Sequence, residues 1–405
     1  MITVKEAQSR IISNKISLNI ETIKVKNSLG RVICKNITSK IFNPPNNVSA
    51  MDGYALKFKD AIRIKSSPIS IVGESSAGSP YKNNIKINQC IKISTGATIP
   101  TGLDCILLKE KVKETNGKIV YINQNIKKGE YIRKKGLNFK KDDLLIKKNH
   151  IITSRDIGII TSANYSNIKV YKKPIVSVLS TGNELRRAGK KIGNSVIISS
   201  NSSTLGSLIK SAGGKFIDLG IAKDNKESLK LKILKSKGSD ILLTSGGISV
   251  GEHDLVKSTL IELGMKVIFW KIAMRPGKPL MFGKLNNMLI LCFPGNPVST
   301  FVGSIIFLLP LINSLLNINS QLPITEAVLS RDLEKNDERQ EYMRTKLSYS
   351  RNNEIIARPY LKQDSSMSYY LAKADGLIIR KPYDRALKAG KKVLVIPFSK
   401  ISNIL

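Results

Sequence analysis

Between residues 174 and 317, short and almost wholly apolar runs alternate with stretches whose apolar positions recur at helical spacing. Residues 175–179 read as a strand ending in Ser180-Thr181-Gly182, and 203–212 as a helix with Leu205, Leu208 and Ile209 on one face. Residues 215–219 give a second strand, and 226–236 a second helix with Leu229, Ile233 and Leu234 spaced to match. Residues 241–243 form a short buried strand that runs into Thr244-Ser245-Gly246-Gly247. A helix follows Asp254, then strands near 267–270 and 288–292. Strand and helix in alternation predict a parallel sheet with helices on both faces, a three-layer α/β domain over 174–317.

The flanks follow another rhythm. Residues 1–173 mix short β-rich runs with turn clusters such as Asn43-Pro44-Pro45-Asn46-Asn47, which predicts an N-terminal helix and an inserted, mainly β domain. Residues 322–405 carry short alternating strands at 354–358, 376–380 and 392–396, read as a small β-barrel or sandwich. The longest apolar run, 298–316, approaches membrane-spanning length. It contains Ser299, Thr300, Ser304, Pro310, Asn313 and Ser314, and its entry places Asn296 to cap a helix and Pro297 at the first turn. A buried core helix is the expectation, with no membrane partner.

Composition narrows the function classes. A chain of 405 residues exceeds one hydrophobic core, so two to four domains are expected. Cys34, Cys90, Cys105 and Cys292 form no disulfide framework, and His150 and His253 lie far apart, so a reduced, cytoplasmic compartment fits and a structural zinc site does not. No targeting segment opens the chain. The net charge is +36, from 66 Lys+Arg against 30 Asp+Glu. Such a surplus invites a nucleic-acid reading, but it is mostly Lys, accompanies abundant Ile and Asn, and runs from Lys5 to Lys400 without a basic tail or helix. It reads as compositional drift, because the placement of charge marks a footprint. No specific nucleic-acid partner is expected.

The candidate chemistry gathers where strands end, the edge at which open α/β sheets bind ligands. Ser180-Thr181-Gly182-Asn183-Glu184-Leu185 follows one strand. Thr244 to Asp254, including Ser249, follows another, and its glycines let backbone N–H groups approach an anion. Met274-Arg275-Pro276-Gly277-Lys278-Pro279 and Phe293-Pro294-Gly295-Asn296-Pro297-Val298-Ser299 are rigid loops, the first carrying cations suited to an oxyanion or phosphate. Each also reads as ordinary loop punctuation. In a chain so poor in acids, Asp52, Glu184, Asp224 and Asp254 at loop positions suggest a site for a hard cation such as Mg²⁺, although a helix cap explains Asp254 equally. No P-loop, dinucleotide fingerprint or Gly-x-Ser-x-Gly elbow is present.

Six of these stretches occur in one order: Ser49-Ala50-Met51-Asp52-Gly53-Tyr54-Ala55, Ser94-Thr95-Gly96-Ala97-Thr98-Ile99-Pro100, Ser180 to Leu185, Thr244 to Gly251, Arg275 to Pro279, and Pro294 to Ser299. Together they resemble the molybdopterin molybdenumtransferases, related to the C-terminal domain of gephyrin, over nearly the whole chain. The resemblance implies a central molybdopterin-binding α/β domain, and insertion of molybdenum from molybdate into adenylylated molybdopterin with release of AMP, assisted by Mg²⁺. It implies a homodimer whose active site joins the α/β domain of one subunit to the second domain of its partner. Further partners would be a molybdopterin adenylyltransferase and proteins that mature molybdoenzymes. Carried over by position, Asp52, Thr95, Glu184, Asp224 and Asp254 become catalytic, and the four acids among them the metal ligands. Ser245, Gly246, Gly247, Ser249, Lys271, Arg275, Lys278, Pro294, Asn296 and Ser365 become substrate-binding.

The chain departs from the family pattern in four places. Arg275 replaces a Lys, and its planar fork is not a geometric equivalent. Leu137 and Asn138 stand where two carboxylates are usual, Asp364 where a Gly is, and Ser199-Ser200 where an Asp-containing pair precedes Asn201. Two alternatives remain at this stage. A molybdopterin adenylyltransferase-like enzyme would lack the flanking regions, and a non-catalytic molybdopterin-binding scaffold would not need the acids.

Overall fold

The computed structural model describes residues 1–64, 66–190, 193–248, 254–319 and 321–401. The chain divides into two compact units, one of Met1–Glu21, Gly30–Val32 and Val170–Leu405, the other of Thr22–Leu29 and Ile33–Lys169. Helix α1 (Val4–Ser13) opens the first unit; Thr3 caps it by accepting from the Glu6 amide, and Val4, Ala7 and Ile11 form its buried stripe.

The second unit is built on a six-stranded mixed sheet of β1 (Gly53–Leu56), β2 (Ile69–Ser75), β3 (Gln89–Ile93), β4 (Cys105–Leu108), β5 (Val112–Thr115) and β6 (Lys118–Ile122), in the order β4-β1-β3-β2-β6-β5. Successive side chains point to opposite faces. Tyr54, Leu56, Cys90 and Leu107 therefore fill one core, and Ala55, Ile91, Ile93 and Ile106 the other. Helix α2 (Ser154–Ser162) closes the unit, opened by a reciprocal capping box between Thr153 and Asp156.

The first unit holds the α/β alternation. Strands β7 (Ile175–Thr181), β8 (Lys215–Ala222), β9 (Ile241–Ser245), β10 (Lys266–Trp270), β11 (Met281–Leu285) and β12 (Met288–Phe293) form one sheet in the order β8-β7-β9-β12-β11-β10. The four strands β8, β7, β9 and β12 are parallel, as expected, whereas β11 and β10 run antiparallel at the edge. Asn286, at positive φ, lets β11 turn straight back into β12, too short a link for a crossover helix. Helices α3 (Asn201–Ser211) and α6 (Pro297–Leu315) cover one face, with α1; α4 (Lys226–Leu234) and α5 (Leu255–Glu262) cover the other. Ile241 and Leu243 point to the first layer, Leu242 to the second, so three layers are present. Leu205, Leu208 and Ile209 are buried as the periodicity predicts. Leu234 is 56% exposed, because five residues on from Leu229 a helix has turned well away from the core.

Helix α6 passes through a π-helical turn at Ser304–Leu308. Among the described residues it is the one helix long and apolar enough to cross a membrane, and 83% of its most apolar window is buried inside the structure. Pro297 occupies its first turn, but the Asn296 side chain makes no capping bond.

Strands β13 (Thr325–Leu329), β14 (Gln340–Tyr349), β15 (Ile355–Pro359), β16 (Gly376–Arg380) and β17 (Lys392–Pro397) close a barrel in the order β14-β15-β13-β17-β16, with β16 pairing back to β14. A two-residue strand, Met274–Arg275, adds to its edge in parallel with Gln340 and Glu341. Arg380 is 2% exposed and ties the barrel to its 384–385 loop, donating to Asp384 Oδ2 at 2.7 Å and to the carbonyls of Glu334 and Arg385 at 3.1 and 2.8 Å. Removing a buried partner of this kind strands the rest. Arg380→Ala is expected to cost about 3 kcal/mol, read from urea denaturation of the full chain.

Candidate functional site

A cleft of about 660 Å³ opens where the parallel strands end. Its position follows from register: Ser180 on β7 pairs with Ser245 on β9, which pairs with Phe293 on β12. Three carboxyl ends are therefore level, and the loops leaving them share one rim. β8 lies on one side of β7 and β9 on the other, so the cleft sits at a topological switch point, where diverging loops leave a crevice.

The loop after β9 forms the floor. Gly246 and Gly247 have φ of +93° and +68°, conformations that side chains rarely adopt. Space is equally restrictive. A Cβ on Gly246 would lie 2.4 Å from the Thr181 carbonyl oxygen, and one on Gly247 2.4 Å from Val256 Cγ2. The glycines thus let two loops touch; the Gly246 amide donates to the Phe293 carbonyl at 3.1 Å, which leaves the Gly247 amide for a ligand. Ser249 and His253 lie outside the described residues.

Glu184, Asp224 and Asp254 all line the cleft. Asp224 and Asn183 interlock: the Asn183 amide donates to Asp224 Oδ2 at 2.9 Å, and the Asp224 amide donates to Asn183 Oδ1 at 3.2 Å. Asp254 caps α5, its Oδ1 accepting from the Lys257 amide at 2.9 Å. Among the described residues, no three His, Cys, Asp or Glu side chains gather to hold a metal ion. A Mg²⁺ ion that keeps most of its waters and rides on ligand phosphates needs only one or two carboxylates. The cleft offers those.

The opposite wall comes from the β12–α6 loop and the barrel. Asn296 Nδ2 donates to Ser365 Oγ at 2.7 Å, the Val298 amide donates to the Ser365 carbonyl at 3.1 Å, and Thr300 Oγ1 donates to the Pro294 carbonyl at 2.7 Å. Asn296 thus stands at the N-cap position with its side chain held by Ser365 and no capping bond made. Asp364 holds Ser366, a lining residue, by accepting from its amide and hydroxyl at 2.8 and 2.6 Å. Arg344, 1% exposed, fixes this loop from beneath through Gln363 and the carbonyls of Lys362 and Met367.

Lys271, Arg275 and Lys278 are not among the residues lining the cleft. Lys271 adopts φ +68° and sets its ammonium 4.1 Å from the Trp270 ring centroid, which Lys257 approaches to 3.6 Å. Arg275 is engaged by the barrel: Nη1 lies 3.2 Å from Asp337 Oδ2, and Nη2 lies 2.8 Å from Glu341 Oε2 and 3.0 Å from Asn336 Oδ1. The planar fork that distinguishes Arg from Lys is what spans these partners.

Asp52 and Thr95 belong to the second unit. β1 and β3 pair antiparallel with Gly53 opposite Ile93, which brings the residues just outside each strand together. Asp52 Oδ1 accepts from the Thr95 amide at 2.6 Å and from its hydroxyl at 2.9 Å. These bonds, the backbone one foremost, hold the Asp52 carboxyl below the usual carboxylate range. Burial pushes the Cys292 thiol up to about 12, so the thiol on β12 is no nucleophile near neutral pH.

Asn201 lines the cleft without having been singled out as a site residue by the sequence. Asn201 Nδ2 donates to Ser245 Oγ and to the Gly295 carbonyl, each at 2.7 Å. An Asn opening a helix after two serines reads as a cap, and no local pattern marks it otherwise.

The comparisons with known proteins agree along the chain. Residues 2–164 match the family profile of the MoeA N-terminal region (domain I and II), 177–314 a profile described as "probable molybdopterin binding domain", and 326–398 the MoeA C-terminal region (domain IV). A molybdopterin molybdenumtransferase of Haemophilus influenzae is 31% identical over 403 residues, covering 98% of this chain and 99% of its own. One from Nostoc is also 31% identical, over 376 residues, covering 91% and 86%. The crystal structure of a molybdopterin biosynthesis MoeA protein from Pyrococcus horikoshii superposes with a TM-score of 0.87 at 29% identity, covering 98% of this chain and 99% of that one.

Two outcomes follow from the geometry. Thr95→Val keeps the amide bond to Asp52 but removes the hydroxyl, so the Asp52 pKa rises part-way toward its ordinary value in a carbon-13 NMR titration. Gly247→Ala forces a strained φ and a clash with Val256 and Thr181, and is expected to lower stability by about 1–3 kcal/mol in chemical denaturation.

Proposed function

The chain belongs to the molybdopterin molybdenumtransferase family, enzymes of molybdenum cofactor biosynthesis, and from that premise we propose that it inserts molybdenum from molybdate into adenylylated molybdopterin with release of AMP. The observation that carries the reading is the cleft at three level strand ends, lined by hydroxyls, a double-glycine loop and three carboxylates. An elongated ligand with anionic and polar groups suits that lining.

Each residue has a physical task. Ser245 and the Gly247 amide hold the pterin phosphate, with Gly246, whose amide is tied to the Phe293 carbonyl, shaping the approach, and with Ser249 kept as a substrate-binding residue. Asn296 orients the ligand from the opposite wall, with Ser365 holding its side chain and Pro294 anchoring the loop through Thr300. Lys271 and Lys278 attract molybdate or the diphosphate bridge. Arg275, already paired with Asp337 and Glu341, braces their loop against the barrel and adds positive field. One or two of Glu184, Asp224 and Asp254 would hold Mg²⁺ together with ligand phosphate oxygens. When bound, that ion supplies charge neutralisation at the phosphoanhydride. Donors fixed by the fold before the ligand arrives need no reorganisation as charge builds on departing AMP. Asp52, kept ionised by Thr95, and a homodimeric assembly belong to the same proposal.

The test is AMP release from adenylylated molybdopterin by purified protein with Mg²⁺, with and without molybdate. Molybdate-dependent release is expected. Asp254→Asn keeps a good helix cap but removes the charge, so its rate should fall about 100-fold with an unchanged melting temperature. No release above background from the unsubstituted protein overturns the reading.

A further inference from the structure

The floor of the cleft contains a crosspiece. Asn201 is the first residue of α3, and its side chain spans from the end of β9 to the loop after β12. The Gly295 carbonyl can only accept, so the end of the carboxamide lying 2.7 Å from it is the nitrogen. That same nitrogen lies 2.7 Å from Ser245 Oγ. A carboxamide nitrogen carries two protons, and these two short contacts use both. Thr300 Oγ1, at 3.5 Å, is a longer third contact and is itself turned toward the Pro294 carbonyl. Ser245 Oγ therefore accepts from Asn201, and its own single proton must be donated elsewhere. Among the described residues nothing accepts it.

We infer that Asn201 is a positioning residue for the cleft's ligand, one that sets the Ser245 hydroxyl as an acceptor on its protein side and so directs the hydroxyl proton at a phosphate oxygen of the ligand. This rests on the cleft being the pterin-phosphate site. A second, independent observation points to the same ligand chemistry. Thr181 Oγ1, on the adjacent strand end, is buried and has no hydrogen-bond partner among the described residues. It lies directly beneath the double glycine, 2.5 Å from where a Cβ on Gly247 would stand. Ser180 pairs with Ser245, so Thr181 and Ser245 are near neighbours across the β7–β9 ladder. Two hydroxyl protons left unspent at adjacent strand ends call for an acceptor-rich group. Phosphate oxygens are that; a cation is not.

The experiment is a double-mutant cycle on the full chain. Molybdopterin binding is titrated for the unsubstituted protein, Asn201→Ala, Ser245→Ala and the double variant, alongside the dephosphorylated pterin. Each single substitution is expected to weaken molybdopterin binding on the order of 10-fold. The double variant should bind no more weakly than Ser245→Ala, because Asn201 acts through Ser245. Affinity for the dephosphorylated pterin should be unchanged. Losses that multiply in the double variant, or an equal loss for the dephosphorylated pterin, overturn the positioning role and leave the function reading standing. Absence of molybdopterin binding by the unsubstituted protein overturns the function reading and this one with it. Should Asn201→Ala fail to fold, Asn201→Asp carries the same cycle: nearly isosteric, it accepts the Ser245 proton in place of donating to its oxygen, and should weaken binding at least as much.

Discussion

The register of three parallel strands is the constraint on which the cleft depends. Ser180, Ser245 and Phe293 are level because the ladders β7–β9 and β9–β12 leave no slack: a slip of one residue would exchange the Ile241/Leu243 face with the Leu242 face and mispack both buried layers. Hydrophobic burial on both sides of the sheet thus fixes where polar loops emerge. The chemistry of the rim is a by-product of a packing problem solved elsewhere, by α3 and α6 on one face and α4 and α5 on the other.

Given that rim, short polar contacts finish the site. Gly246 and Gly247 allow two loops to meet at distances that any Cβ would forbid. Asn201 then links the ends of two strands, and Asn296 links the second loop to Ser365 beside the barrel. The same economy appears in the second unit, where a single antiparallel pairing turns two remote motifs into one Asp52–Thr95 pair. In each case the donors are fixed before any ligand arrives, which is the condition for electrostatic preorganisation.

Electrostatics tells against the surplus of charge as a guide to function. The net charge of +36 is spread from one end of the chain to the other, whereas among the described residues the cleft is lined by Glu184, Asp224 and Asp254. The cation predicted as a ligand that differs most from the family, Arg275, is bound to two carboxylates of the barrel. A dispersed positive field still concentrates anionic substrates near the surface. The cleft itself presents hydroxyls, a double-glycine loop and a few acids held by the fold.

The sequence by itself determined the elements and their alternation, the buried stripe of α3, the burial of α6, the closing barrel strands and the loops that carry Glu184, Asp224, Asp254 and Ser245. Those signals are local: apolar period, glycine after a strand, proline at a helix entry. Six ordered motifs sufficed to indicate the family. Only the tertiary structure decided that β10 and β11 run antiparallel, that Leu234 faces outward, that the Asn296 side chain is held by Ser365 and makes no capping bond, and that Arg275 pairs with Asp337 and Glu341. It alone revealed the crosspiece made by Asn201. The physical reason is the same throughout. A carboxamide or guanidinium carries several donors and no sequence label for its partner, so its role is set by which strand ends and loops packing brings within hydrogen-bond reach.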